Sequence, residues 1–314
     1  MSKVSTTLNI ETLELEKAGI RLDAMASEVA VVTGGASNIG LGYARSIAGS
    51  GGCVVIADLN AEAGAEAQRV INAENERDCA LFVKTDITSE ADVKNLAVQA
   101  FAKFGKVDIL INNAMNMRLN GKILESPISD LDQSYAISGR GVALAIKEFV
   151  PAMLERKHGT VLYSATQFHY VPPMLGGTVY CAGKAAATSI VMSLVNELGP
   201  YENTGVSVFC FCPAGVVRFD PSNMPKPGEE DKPVFDFSTF RFTTPEENGA
   251  AMIFCLERAA ELHGSGVIHN DVFRAMGDPF GNAPAEDSSA PPQRRLNHMD
   301  LTMAFCYMGD GFKK

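Results

Sequence analysis

What this chain lacks narrows its chemistry. Basic side chains are in deficit, 27 against 37 acidic ones, which argues against a nucleic acid or an anionic membrane as partner. No uninterrupted apolar run approaches the roughly 20 residues that cross a bilayer. Residues Met1 to Asp23 mix Glu11, Glu14, Glu16 and Lys17 with leucines, so a signal-peptide core is missing as well, and a cytoplasmic setting is expected. The seven cysteines form no paired framework. Only Cys210 and Cys212 are close together, on one expected strand, and with no second ligand pair they read as buried thiols, not as a metal site. Internal repeats are absent too. A small-molecule ligand is what these exclusions leave.

What is present is an alternation. From Glu28 to about Asn270, short β-branched apolar runs take turns with longer helical patterns, the signature of a parallel sheet wound on both sides by helices. The runs predict seven strands: Val29–Thr33, Cys53–Asp58, Ala80–Thr85, Ile109–Asn112, Thr160–Ser164, Val206–Cys212 and Val267–His269. Helices are expected at Ile39–Ser50, Ala61–Asn75, Glu90–Phe104, Ser129–Arg156, Val179–Leu198 and Pro245–Glu261. The last has a clear start, with Thr244 to cap, Pro245 at the first helical position and Glu247 three residues after the cap. The expected fold is thus an α/β, Rossmann-like, doubly wound seven-stranded parallel sheet. It forms a single domain over 28–277, with extensions at 1–27 and 278–314. Residues 216–244, rich in proline and phenylalanine, read as a long substrate loop. The tail starts with a Pro/Ala/Ser linker and ends in the more apolar Leu296–Tyr307.

Between the first strand and first helix lies Thr33-Gly34-Gly35-Ala36-Ser37-Asn38-Ile39-Gly40, where backbone N–H groups and the helix dipole can hold a pyrophosphate. Gly34 and Gly40 allow close approach, and Asn38 tolerates positive φ. Asp58 ends the second strand about 20 residues on, placed to accept both hydroxyls of an adenosine ribose and to repel a 2′-phosphate, which favours NAD over NADP. Asp86 ends the third strand, and is placed either to meet the adenine or to cap the following helix.

Farther along, Tyr180-Cys181-Ala182-Gly183-Lys184 puts a phenol and an ammonium four residues apart, on one helix face. The positive charge is expected to favour the tyrosinate and bring the phenol down from its usual value of about 10. Such a phenol exchanges a proton with a carbonyl or alcohol oxygen.

The glycine turn, Asp58, Asp86, Asn112-Asn113-Ala114 and the Tyr–Lys pair stand in the order and approximate spacing of the short-chain dehydrogenase/reductase family, which the chain resembles from Glu28 to about His269. The resemblance implies catalysis by Tyr180 and Lys184, with a substrate-orienting hydroxyl from Thr166 or Ser164. It implies cofactor contacts from Ser37, Ile39, Leu59, Ile87, Asn113, Ala114, Pro213, Gly215 and Val217 in addition to the turn and the carboxylates. Met115 replaces a family glycine, and Ser138 stands where the family has a water-holding asparagine; serine can still order a water. The segment after Pro213 lacks the family's threonine, and His269-Asn270-Asp271 lacks its double glycine. Met115–Leu119, Phe168–Leu175 and Phe219–Phe242, read as apolar and aromatic, imply a hydrophobic ketone or secondary alcohol, with His169 and Arg218 as candidate polar contacts. The resemblance also implies a homodimer or homotetramer paired through the helices Ser129–Arg156 and Val179–Leu198. Two other functions stay open: a dehydratase or epimerase that retains NAD, and a non-catalytic NAD-binding scaffold.

Overall fold

The computed structural model describes residues 15, 18–116, 119, 121–166, 177–214 and 243–281. Its strands are β1 (Val29–Thr33), β2 (Cys53–Asp58), β3 (Ala80–Lys84), β4 (Ile109–Asn112), β5 (Gly159–Ser164), β6 (Val206–Cys212) and β7 (Gly266–Ile268). They form one parallel sheet in the order β3-β2-β1-β4-β5-β6-β7. Such strands are buried on both faces, which is why they read as continuous runs of valine, isoleucine and phenylalanine and not as alternating patterns. The order reverses direction between β1 and β4, and this switch point opens a crevice beyond the carboxyl ends of the strands.

Helices cover both faces. On one lie α1 (Asn38–Gly49), α2 (Ala61–Glu74), α8 (Pro245–Leu256) and α10 (His269–Ala275), packed on Ala30, Val32, Val54, Ile56, Phe209 and Phe211. On the other lie α3 (Glu90–Phe104), α5 (Gly141–Arg156) and α6 (Thr178–Leu198), against Val31, Val55, Leu110, Val161 and Val208. Each of the larger buried side chains contributes about 1.5–3 kcal/mol on leaving water. Leu15, Ile20 and Met25, read from sequence as part of an extension, are buried in the first of these cores. The helix α6 has the length and apolarity of a membrane span, but 56% of its most apolar stretch is buried inside the fold, as befits the central helix of a layered domain.

Several elements depart from the sequence expectation. The single helix expected over Ser129–Arg156 is α4 (Ile128–Tyr135), a π-helical turn (Ala136–Arg140) and α5. The wide turn lets the chain swing Ser138 inward, and Gly141 closes onto Ile87, where a Cβ would lie 3.0 Å from the Ile87 side chain. The helix at Pro245 stops at Leu256, and a short α9 (Ala259–Leu262) follows it. His269 is not the end of β7 but the first residue of α10, and Thr85 lies beyond β3. A one-turn α7 (Tyr201–Thr204) precedes β6.

Candidate active site

The turn after β1 is stitched to β4. Thr33 Oγ1 accepts the N–H groups of Asn113 (2.9 Å) and Ala114 (3.1 Å), while Asn113 Nδ2 donates to the carbonyls of Thr33 (3.2 Å) and Gly34 (3.3 Å). Gly34 has φ +64°, and Asn38 supplies the other left-handed residue at φ +45°. At Gly40 a Cβ would sit 2.0 Å from the Gly34 carbonyl, so the cradle exists only with glycine there. Ser37 precedes α1 without a side-chain cap, and the first turn of α1 carries no acidic residue, leaving its N–H groups for an anion.

Asp58, at the end of β2, folds back over this turn: Oδ2 accepts from the Ala36 N–H at 3.1 Å and Oδ1 from the Asn60 N–H at 3.0 Å. Leu59 beside it is exposed. A backbone cradle at a helix N-terminus with a carboxylate on the neighbouring strand fits a dinucleotide: pyrophosphate at Gly34–Gly40, ribose at Asp58. Asp86 does not cap the following helix, whose N-cap is Ser89; its Oδ1 instead accepts both the Thr88 N–H (2.9 Å) and the Thr88 hydroxyl (2.7 Å), closing a local turn. Ile87 is half-buried beneath Gly141.

At the other end of the crevice the first turns of α6 carry Tyr180 and Lys184. The Lys184 ammonium is buried, donates to the Ser164 carbonyl at 2.6 Å, and lies 5.0 Å from the centre of the Tyr163 ring and 5.9 Å from that of Tyr180. Burial lowers its pKa to about 8, against the opposing influence of the neighbouring Cys212 and Cys210. Tyr180 does not follow the sequence expectation. Burial pushes its phenol up to about 12, a hydrogen bond with the Thr166 hydroxyl lowers it only in part, and the lysine charge is turned to a carbonyl and to ring faces.

The end of β5 separates the two hydroxyls left open by sequence: alternation would set residues 164 and 166 on one face, but the strand stops at Ser164. Ser164 lies on the same face of β5 as Leu162, and its side chain meets the Tyr43 phenol on the α1 side, away from Tyr180. Its carbonyl holds Lys184, so Ser164 contributes backbone here, and Thr166 is the hydroxyl beside the phenol. Ser138 is brought in by the π-helical turn: it is buried, donates to Met115 Sδ at 3.1 Å, and lies against Gly183 of α6. Pro213 flanks the site at the end of β6. Gly215, Val217, His169, Arg218 and the stretches 167–176 and 215–242 lie outside the described residues, as does the tail from 282.

Three residues near the site have contacts that the sequence does not give. Asn112, buried at the end of β4, has no hydrogen-bond partner for either side-chain atom among the described residues. His269 Nδ1 lies 3.3 Å from the Cys212 carbonyl, and Asn248 bonds to the backbone of Ala214. Tertiary packing reveals these contacts, although Asn112 already stood in the motif at the end of β4.

A family model for short chain dehydrogenases matches residues 28–224. Tropinone reductase-like 1 of Erythroxylum coca is 31% identical over 196 residues, 62% of this chain and 69% of its own. Short-chain dehydrogenase reductase 5 of Arabidopsis thaliana is 34% identical over 203 residues, 63% and 73% of the two chains. Secoisolariciresinol dehydrogenase of Forsythia intermedia is 29% identical over 195 residues, 61% and 67%. With its parallel sheet, glycine cradle and Tyr180–Lys184 helix, the chain belongs to the short-chain dehydrogenase family of nicotinamide-dependent oxidoreductases.

Proposed function

We propose that this protein is an NAD(H)-dependent oxidoreductase that interconverts a hydrophobic secondary alcohol and its ketone. The observation that carries the reading is the convergence of Tyr180, Thr166 and Lys184 at the same sheet edge as the Gly34–Gly40 cradle. When bound, the nicotinamide supplies or accepts the hydride. The chain manages the oxygen. Thr166 and Tyr180 hold the carbonyl oxygen between two hydroxyls, and Tyr180 delivers its proton to that oxygen as it becomes an alcohol. Lys184 places positive charge beneath the phenol and within the crevice where the cofactor ribose lies. The names of two relatives, a reductase and a dehydrogenase, agree with alcohol–ketone chemistry in both directions. Asp58 supports NAD, because a 2′-phosphate would meet its carboxylate. The apolar side chains of Phe168–Leu175 and the five phenylalanines of 219–242 support an apolar substrate.

Two copies are proposed to pair through α5 and α6; the exposed face of α6 carries Ala182, Ala185, Ser189 and Ser193, small side chains that permit close helix contact. The activity is tested with Tyr180→Phe assayed with NADH and a panel of apolar ketones. Turnover is expected to fall by about 10³-fold or more while NADH binding stays within about twofold. An unchanged rate with a ketone that the parent protein reduces contradicts the assignment.

A further inference from the structure

The turn that leaves β6 is held by groups far from it in sequence. The Ala214 N–H donates to Asn248 Oδ1 at 2.9 Å, and Asn248 Nδ2 lies 3.3 Å from the Ala214 carbonyl. The same amide nitrogen donates to Thr243 Oγ1 at 2.7 Å and lies 3.3 Å from the Thr244 carbonyl. Asn248 and Ala214 both have no exposed surface. One buried amide therefore joins residue 214 to residues 243 and 244, the two described ends of the stretch 215–242.

Asparagine is a poor choice for a buried position inside a helix, where an apolar residue packs without needing partners. Nor does α8 require it as a cap, since Thr244 and Glu247 already form a reciprocal capping pair. What the amide satisfies instead is the backbone of the β6 turn. The helix bearing it is seated on the dinucleotide helix: a Cβ on Gly42 of α1 would lie 2.0 Å from the Pro245 carbonyl, and Arg45 of α1 is ion-paired with Glu246. On its other side the turn adjoins the reacting groups, because Cys212 is an electrostatic neighbour of both Tyr180 and Lys184, and its carbonyl is met by His269.

We propose that Asn248 is a positioning residue that sets the Pro213–Ala214 turn against the nicotinamide end of the bound dinucleotide, acting through the Ala214 backbone. This rests on the NAD reading of the crevice. The test compares NADH with ADP-ribose, which keeps the adenosine and pyrophosphate but lacks nicotinamide, on the parent protein and on Asn248→Leu and Thr243→Val. Amide hydrogen exchange is followed at Ala214. With Asn248→Leu the NADH dissociation constant is expected to rise about tenfold and that of ADP-ribose to stay within about twofold, while Ala214 exchange speeds up relative to β1. Thr243→Val, which removes one arm, gives the same pattern at smaller size and decides the matter if Asn248→Leu does not fold. Equal weakening of both nucleotides, or no change in either, overturns the proposal while the function stands. A parent protein that binds neither nucleotide removes the functional reading and this assignment with it.

Discussion

Tyr180 keeps its proton at neutral pH in this structure, and that sets the pH dependence of each direction. Its phenol, pushed up to about 12 by burial, is an acid ready to protonate a reduced carbonyl. Alcohol oxidation needs the phenolate, whose fraction grows tenfold for each pH unit below that value. The log of kcat/KM for oxidation is therefore expected to climb with near-unit slope between roughly pH 6 and 7.5, below the range where Lys184 loses its charge, and reduction to show no titration of Tyr180 over that range. A plateau for oxidation there contradicts the assignment of the phenol's state. The two hydroxyls of the β5 end make a second prediction. Thr166→Val is expected to cost about 10²-fold in kcat/KM, and Ser164→Ala, whose side chain faces Tyr43, less than about threefold. The reverse order, measured by steady-state kinetics, would return the role to Ser164. Sequence alignment put Thr166 at the family's serine position and kept Ser164 as the alternative, because the point where β5 stops is not legible until the strand end is placed.

Among the elements, α1 and α8 form the joint on which the cofactor cradle rests. Arg45 is buried between them, paired with Glu246 and held bidentately by Glu74 of α2, at 2.8 and 3.1 Å. Removing the guanidinium leaves the Glu246 carboxylate largely buried without its partner. Arg45→Met is expected to cost about 3 kcal/mol in urea denaturation, with much of it recovered in Arg45→Met/Glu246→Gln. A loss below about 1 kcal/mol would mean that the pair is solvated enough not to matter. The elements themselves were mostly legible, since central parallel strands are unbroken apolar runs and the Thr244-Pro245-Glu247 start appears as the observed capping box. The π-helical turn was not. Its sequence, Ser138-Gly139-Arg140-Gly141, fits a helical period well enough, and only the packing of Gly139 on Tyr135 and Gly141 on Ile87 fixes the wider turn. Asn248 was hidden for a similar reason: an amide inside a helix says nothing until the backbone it serves is folded beside it.

Over the whole molecule, the strand order β3-β2-β1-β4-β5-β6-β7 lays Asp58, the Gly34–Gly40 turn, Asn113, Thr166 and Pro213 along one edge of the sheet, with Tyr180 and Lys184 entering from α6. On the proposed NAD reading, a dinucleotide lies along that edge with its adenosine at β2 and its reacting end at α6. This arrangement was visible in the sequence as the order of the motifs, because a doubly wound sheet brings every strand end to the same side. What motif order could not give was the state of each group: the direction of the Tyr180 shift, and the occupation of Asp86 by Thr88. Calorimetric titration of the purified protein with NADH and NADPH at matched salt tests the account at its centre. NADH is expected to bind, and NADPH at least about tenfold more weakly, because its 2′-phosphate meets the Asp58 carboxylate. Equal or tighter binding of NADPH would contradict the role given to Asp58, and binding of neither would contradict the account as a whole.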